Sequence, residues 1–154
     1  MQDTNTSQKL RILIVDDTIT YRTVLSRVVE RVPFATVTAT AKDGLDALEK
    51  IESNTFDVVF LDVEMPRLTG PETLERLKQK HPDLPVIMVS SASRTNARIT
   101  IECLEAGALD FIDKPECDDS EENAAYLLLK LKPLLAHIQE TQAKKKASLP
   151  SPAP

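Results

Sequence analysis

Four stretches of this chain run apolar residues directly into groups that can do chemistry. "DVVFLDVEMPRLTG" (57–70) leads into Asp62 and then turns through Pro66 and Gly70. "LRILIVDD" (10–17) ends on Asp16 and Asp17, "PVIMVSS" (85–91) on Ser90 and Ser91, and "ALDFIDKP" (108–115) on Lys114. An ionised carboxylate at the end of an apolar run is costly to place unless something compensates it. Three carboxylates brought together repel one another and raise each other's pKa. A divalent cation relieves that repulsion, and hard oxygen ligands suit Mg²⁺, which keeps several waters and often shares its site with a phosphate. Taken singly, each group has a plainer use. An Asp-Asp pair before a helix forms an Asx turn or N-cap, Ser-Ser after a strand is a cap, and Lys-Pro is a turn signal. The weight lies in their falling together at one edge of a sheet.

The elements that must place them there follow from periodicity. The run at 10–17 is β-branched and short. After it, Tyr21, Val24, Leu25, Val28 and Val32 recur at helical spacing until Pro33 stops the helix. Residues 35–41 alternate as a strand, and 43–53 form a helix with Leu45, Leu48 and Ile51 on one face. A third strand occupies 57–62, followed by a helix at 71–80 with Pro71 in its first turn, where a missing N–H costs nothing. A fourth strand at 85–91 leads to a helix at 96–107 closed by Gly107, and 108–115 holds a short fifth strand. The last helix is expected at 123–141, with Pro133 kinking or interrupting it. Five β–α units, with the first, third and fourth strands near-continuous apolar runs, predict a doubly wound α/β fold: a five-stranded parallel sheet with right-handed crossovers and helices on both faces. Ligands of such sheets bind beyond the carboxyl ends of the strands, where the four stretches end.

A length of 154 residues suits one domain with a proper core, and 42% apolar and 28% charged residues are ordinary for a soluble globular protein. The net charge of −5 argues against a nucleic-acid surface. No apolar run approaches the roughly 20 residues of a membrane span. The polar start "MQDTNTSQKLR" lacks a signal-peptide core, so a cytoplasmic location is expected. Cys103 and Cys117 lack metal-ligand spacing and are expected to remain thiols, Cys103 as packing on a helix face. His81 and His137 are isolated and expected at the surface or at a cap. The expected domain limits are a flexible N-terminus at 1–8, a folded body at 9–141 and a linker or disordered tail at 142–154. Lys, Ser and Pro dominate the last of these.

"ILIVDD", "DVVFLDVEMPRLTG", "PVIMVSS" and "DFIDKP", in this order and spacing, resemble the receiver domain of two-component response regulators. The resemblance covers about 9–138. Within that superfamily, "LDVEMPRLTG", "VIMVSS" and "LEAGALDFIDKP" are most similar to the receiver half of the chemotaxis protein-glutamate methylesterases. It implies a (βα)5 flavodoxin-like fold and a phosphoryl group accepted on Asp62 from a sensor histidine kinase, expected to be of the chemotaxis type. It further implies Mg²⁺ bound by Asp17, Asp62 and the backbone carbonyl of Glu64, with Asp16 acting mainly through water. Lys114 and Ser90 would contact phosphoryl oxygens, and Phe111 would be the switch aromatic. Phosphorylation would regulate a C-terminal methylesterase domain that this chain does not contain. The chain's own chemistry would be phosphotransfer to itself and its reversal by water. Many receivers carry Thr where this chain has Ser90 and Tyr where it has Phe111; Ser keeps the hydroxyl, whereas Phe111 cannot make a hydroxyl hydrogen bond. Thr69 and Pro71 are also unusual around Gly70.

Three other readings compete. A stand-alone receiver, or one with another output, would share the same chemistry. A phosphohydrolase working through an aspartyl phosphate would need a second acid two residues on, which Glu64 supplies, but also a cap insertion, for which the chain has no room. A flavin module would need a phosphate loop rich in Ser, Thr and Gly where this chain has Asp16 and Asp17.

Overall fold

A computed structural model describes residues 9–91, 97–116 and 119–148. Strands β1 (Leu10–Val15), β2 (Ala35–Ala41), β3 (Val58–Asp62), β4 (Val86–Ser91) and β5 (Asp110–Lys114) alternate with helices α1 (Ile19–Glu30), α2 (Gly44–Ser53), α3 (Gly70–Lys80), α4 (Ala97–Glu105) and α5 (Ser120–Ser148). All strand pairs are parallel, in the order β2-β1-β3-β4-β5. The order reverses between β1 and β3, so their carboxyl ends flank the crevice where doubly wound sheets bind ligands.

Because side chains alternate across a strand, each strand contributes to two cores. Ile12 and Ile14, Val58 and Phe60, Ile87 and Val89, and Ile112 pack on one face beneath α1 and α5. Leu13 and Val15, Val59 and Leu61, and Val86 and Met88 pack on the other with Ala47, Ile51, Leu74, Leu77 and Cys103 of α2, α3 and α4. Both faces are therefore apolar, which accounts for the continuous apolar character of β1, β3 and β4. At roughly 1.5–3 kcal/mol for each fully buried aliphatic or aromatic side chain, these two layers are the main force holding the sheet. Side-chain caps start three helices: Thr18, Asp43 and Thr69 accept from the backbone N–H of Tyr21, Asp46 and Glu72, and Glu72 reciprocates towards Thr69 in a capping box.

Two elements differ from expectation. In α2 the buried positions are Gly44, Ala47 and Ile51, with Leu48 half-buried, while Leu45 is 48% exposed. The stripe is rotated because α2 meets α3 through its smallest residue: a Cβ on Gly44 would lie 2.1 Å from Thr73 Oγ1. The last helix runs from Ser120 to Ser148, beyond the expected 123–141, with Pro133 inside it. Pro133 and Leu129 both lie on the exposed side. Water there can take up the Leu129 carbonyl that loses its N–H partner, so the proline does not end the helix. The expected tail therefore continues α5 as far as Ser148. Residues 1–8, 92–96 and 149–154, and Cys117 with Asp118, lie outside the described residues.

Cys103 is buried and unpaired, His81 is the C-cap residue of α3 and His137 is exposed. Gly107 follows α4 at φ 111, the left-handed conformation a helix terminator requires. Among the described residues, no helix is long and apolar enough to cross a membrane.

Candidate active site

Strand alternation explains which groups meet at the carboxyl edge. Asp16, Asp62 and Lys114 continue the parity of the residues that pack under α1 and α5, so all three reach the same side of the edge. The Lys114 ammonium lies 2.7 Å from Asp16 Oδ2 and 3.3 Å from Asp62 Oδ1. All three side chains are buried, Asp16 completely, with Asp62 at 5% and Lys114 at 9% exposure. Ser90 continues the opposite parity and enters the site from the α4 side, also buried. Its hydroxyl donates to the Ser91 carbonyl at 3.4 Å, a long contact for an O–H donor.

The backbone turns promptly out of β3. Gly70 N–H donates to the Val63 carbonyl at 2.8 Å, and a Cβ on Gly70 would stand 2.2 Å from the Asp62 carbonyl oxygen. Only glycine lets the start of α3 come so close to the residue that carries the site. Within the turn Arg67 adopts φ 70, and its guanidinium bonds the buried Asp43 carboxylate at 2.8 Å, tying this loop to the cap of α2. Glu64, on the same loop, is exposed at the mouth of the site.

A small cleft of about 180 Å³ opens over these groups, lined by Asp17, Thr18, Asp62, Glu64, Ser90, Ser91 and Lys114. Asp16 lies beneath it. Its Oδ1 accepts from Thr18 N–H at 2.9 Å and from the Thr18 hydroxyl at 3.0 Å. Its Oδ2 has the close ion pair with Lys114 but no well-directed hydrogen bond among the described residues. The separation is that of a close ion pair, while the geometry is not that of a directed hydrogen bond. Burial, with Asp16 and Asp17 nearby, pushes the Asp62 carboxyl up to about 7, against the opposing pull of Lys114. One oxygen from each of Asp16, Asp17 and Asp62 can lie within 4.8 Å of the others. An incompletely bonded buried oxygen, three hard donors at that spacing and a carboxyl forced towards neutrality all fit a divalent cation. The acidic pocket is therefore compatible with Mg²⁺.

Phe111 does not line the cleft. It is partly buried and packs with the α2–α4 core, on the face opposite Ile112. Three contributors carry no chemical signal in the sequence. Thr18 caps α1 and also binds Asp16. Arg22 bonds the Asp16 carbonyl at 2.7 Å. Tyr21 falls on the apolar stripe of α1, but its ring lies 4.4 Å under the Lys114 ammonium and its hydroxyl donates to the Pro115 carbonyl at 2.9 Å. Burial, with Asp16 and Glu116 adding to it, pushes the Tyr21 hydroxyl up to about 12, so it remains a donor.

A flavodoxin-like sheet with an acidic, lysine-bridged pocket at its switch point defines a receiver, and residues 12–125 match the family model described as the response regulator receiver domain; the chain belongs to that family. Among curated relatives, the protein-glutamate methylesterase/protein-glutamine glutaminase of Symbiobacterium thermophilum is 48% identical over 69% of this chain and 29% of its own length. The protein of that name from Nitrobacter hamburgensis is 38% identical over 99% of this chain and 41% of its own length. The chain thus spans less than half of these relatives. Among solved structures, the response regulator domain of Thermotoga maritima CheB is 40% identical, with a TM-score of 0.72, covering 83% of this chain and 97% of that one.

Proposed function

We propose that this chain accepts a phosphoryl group on Asp62 from a phosphohistidine of a chemotaxis-type sensor histidine kinase in the cytoplasm, and that its phosphorylated state regulates an attached methylesterase domain. The observation that carries the first part is the Asp62 carboxylate itself. It opens into a small polar cleft, contacts a buried lysine at 3.3 Å, and has two further acids within metal-sharing distance.

Asp62 is the nucleophile. A carboxylate oxygen attacks phosphorus in line, a P–O bond forms as the P–N bond to the histidine breaks, and the imidazole nitrogen leaves with the electron pair. Lys114 is held where it can pass from the carboxylate to a phosphoryl oxygen, so catalysis is positioning plus electrostatics. Mg²⁺, held by Asp17, Asp62 and the Glu64 carbonyl with Asp16 acting through water, would supply positive charge against the phosphoryl oxygens. The Ser90 hydroxyl can exchange its long contact to Ser91 for a phosphoryl oxygen. The product is an acyl phosphate, a reactive anhydride that water cleaves, so the state is self-limiting. Phosphorylation adds about two negative charges at the edge. As Ser90 moves towards them it frees space for Phe111, and the face made by α4, β5 and α5 changes in response.

The methylesterase part rests on the names and extent of the relatives, of which this chain matches the receiver portion. Transfer of label from a radiolabelled phospho-kinase to the wild-type chain, and its loss in Asp62→Asn, tests the first part. A reading frame that continues past Pro154 into a catalytic domain tests the second, and a stop codon there would contradict it.

A further inference from the structure

Lys114 has an unusual distance to cover. It ends β5, while Asp16 follows β1, and two strands stand between them in the sheet. At about 4.8 Å per strand spacing, the two backbones are roughly 14 Å apart. A lysine carries its charge on a flexible four-carbon stem without directional preference, so something must hold it across that span.

The groups around the ammonium account for this. Two carboxylate oxygens lie on it at 2.7 and 3.3 Å, and the face of the Tyr21 ring lies 4.4 Å from it. A ring face attracts a cation, more so where water is excluded, and the Lys114 side chain is buried. The Tyr21 ring is itself fixed at both ends. Its backbone N–H donates to the capping hydroxyl of Thr18, which in turn donates to Asp16. Its hydroxyl donates to the carbonyl of Pro115, the residue next to Lys114. Tyr21 therefore joins α1 to the end of β5 twice, once through the lysine's charge and once through the following peptide.

We infer that Tyr21 is a positioning residue for Lys114, its ring and hydroxyl holding the ammonium between Asp16 and Asp62 so that it meets the phosphoryl group as transfer occurs. The inference rests on Asp62 being the phosphoacceptor.

Its test compares rates of Asp62 phosphorylation by acetyl phosphate in the wild type, Tyr21→Phe and Tyr21→Leu, each across a range of Mg²⁺. Tyr21 is placed against the lysine, which competes with a cation for Asp16 and Asp62, so the rate at saturating Mg²⁺ should fall with no loss of Mg²⁺ affinity. Tyr21→Leu is expected to slow the reaction about tenfold, and Tyr21→Phe, which keeps the ring, less than about threefold. A Leu variant as fast as the wild type overturns the inference, as does a parallel loss of rate and Mg²⁺ affinity, which a disturbed fold would give. Failure of the wild type to be labelled on Asp62 would instead overturn the parent reading.

Should Tyr21→Leu not fold, a spectroscopic test remains. The chain has two tyrosines and no tryptophan, so Tyr126→Phe leaves Tyr21 as its sole emitter. In that background, Lys114→Met is expected to change the tyrosine emission; identical emission with and without the lysine overturns the inference.

Discussion

Asp62 faces two opposing demands. In the proposed transfer it must be ionised to attack phosphorus, yet it is buried beside Asp16, and without a cation its carboxyl is pushed up to about 7. An unfolded chain releases that proton near the usual carboxylate range. The folded state therefore binds the proton more tightly between roughly pH 4 and 7, and this group's contribution to stability is lost as pH rises through that interval. Asp62→Asn removes the penalty. In Mg²⁺-free buffer the variant should be more stable than the wild type at pH 8, by about 1–3 kcal/mol, with the gap narrowing towards pH 5. Thermal melts at the two pH values check this, and a gap that widens on acidification would contradict the assignment of cause. The proposed nucleophile is thus the residue expected to cost stability.

Single residues also decide whether the elements can meet. Gly70→Ala should destabilise by about 1–3 kcal/mol and slow phosphorylation, because its Cβ would press on the Asp62 carbonyl oxygen. Denaturant melts and acetyl-phosphate labelling measure the two effects together. Pro133→Ala should act in the other direction. It restores a helical N–H on the exposed side of α5 and should stabilise the chain by about 1–2 kcal/mol, seen as a higher Tm. Strands β1, β3 and β4 were legible in the sequence because each is a nearly unbroken apolar run with chemistry at its end. The acidic triad and Lys114 followed from that, since alternation carries all but the exposed Asp17 to one side of one edge. Leu45 was not legible: helical spacing marks it as core, but the approach of α3 at Gly44 turns the stripe away from it. Nor was the end of α5, where exposure lets a proline pass. The contact of Tyr21 with Lys114 and Pro115 joins elements about ninety positions apart, and no local pattern encodes it.

At the scale of the whole molecule, α5 extends past the domain limit proposed at residue 141. Gln142 donates to Asp57 at 3.1 Å, where Arg11 also binds, and so fastens the helix to the amino edge of the sheet, opposite the cleft. Truncation after Thr141 should therefore keep the fold and its labelling, while lowering stability by about 1 kcal/mol; loss of folding would place the domain limit further on. The anchor of α5 thus lies at one edge of the sheet and the proposed chemistry at the other. The central claim is that Asp62 is the phosphoacceptor. Its most direct test is to treat the chain with acetyl phosphate and Mg²⁺, reduce with borohydride, and map the modified residue by peptide mass spectrometry. The predicted result is conversion of Asp62 to homoserine, dependent on Mg²⁺. Conversion at Asp16 or Asp17, or none at all, would contradict it.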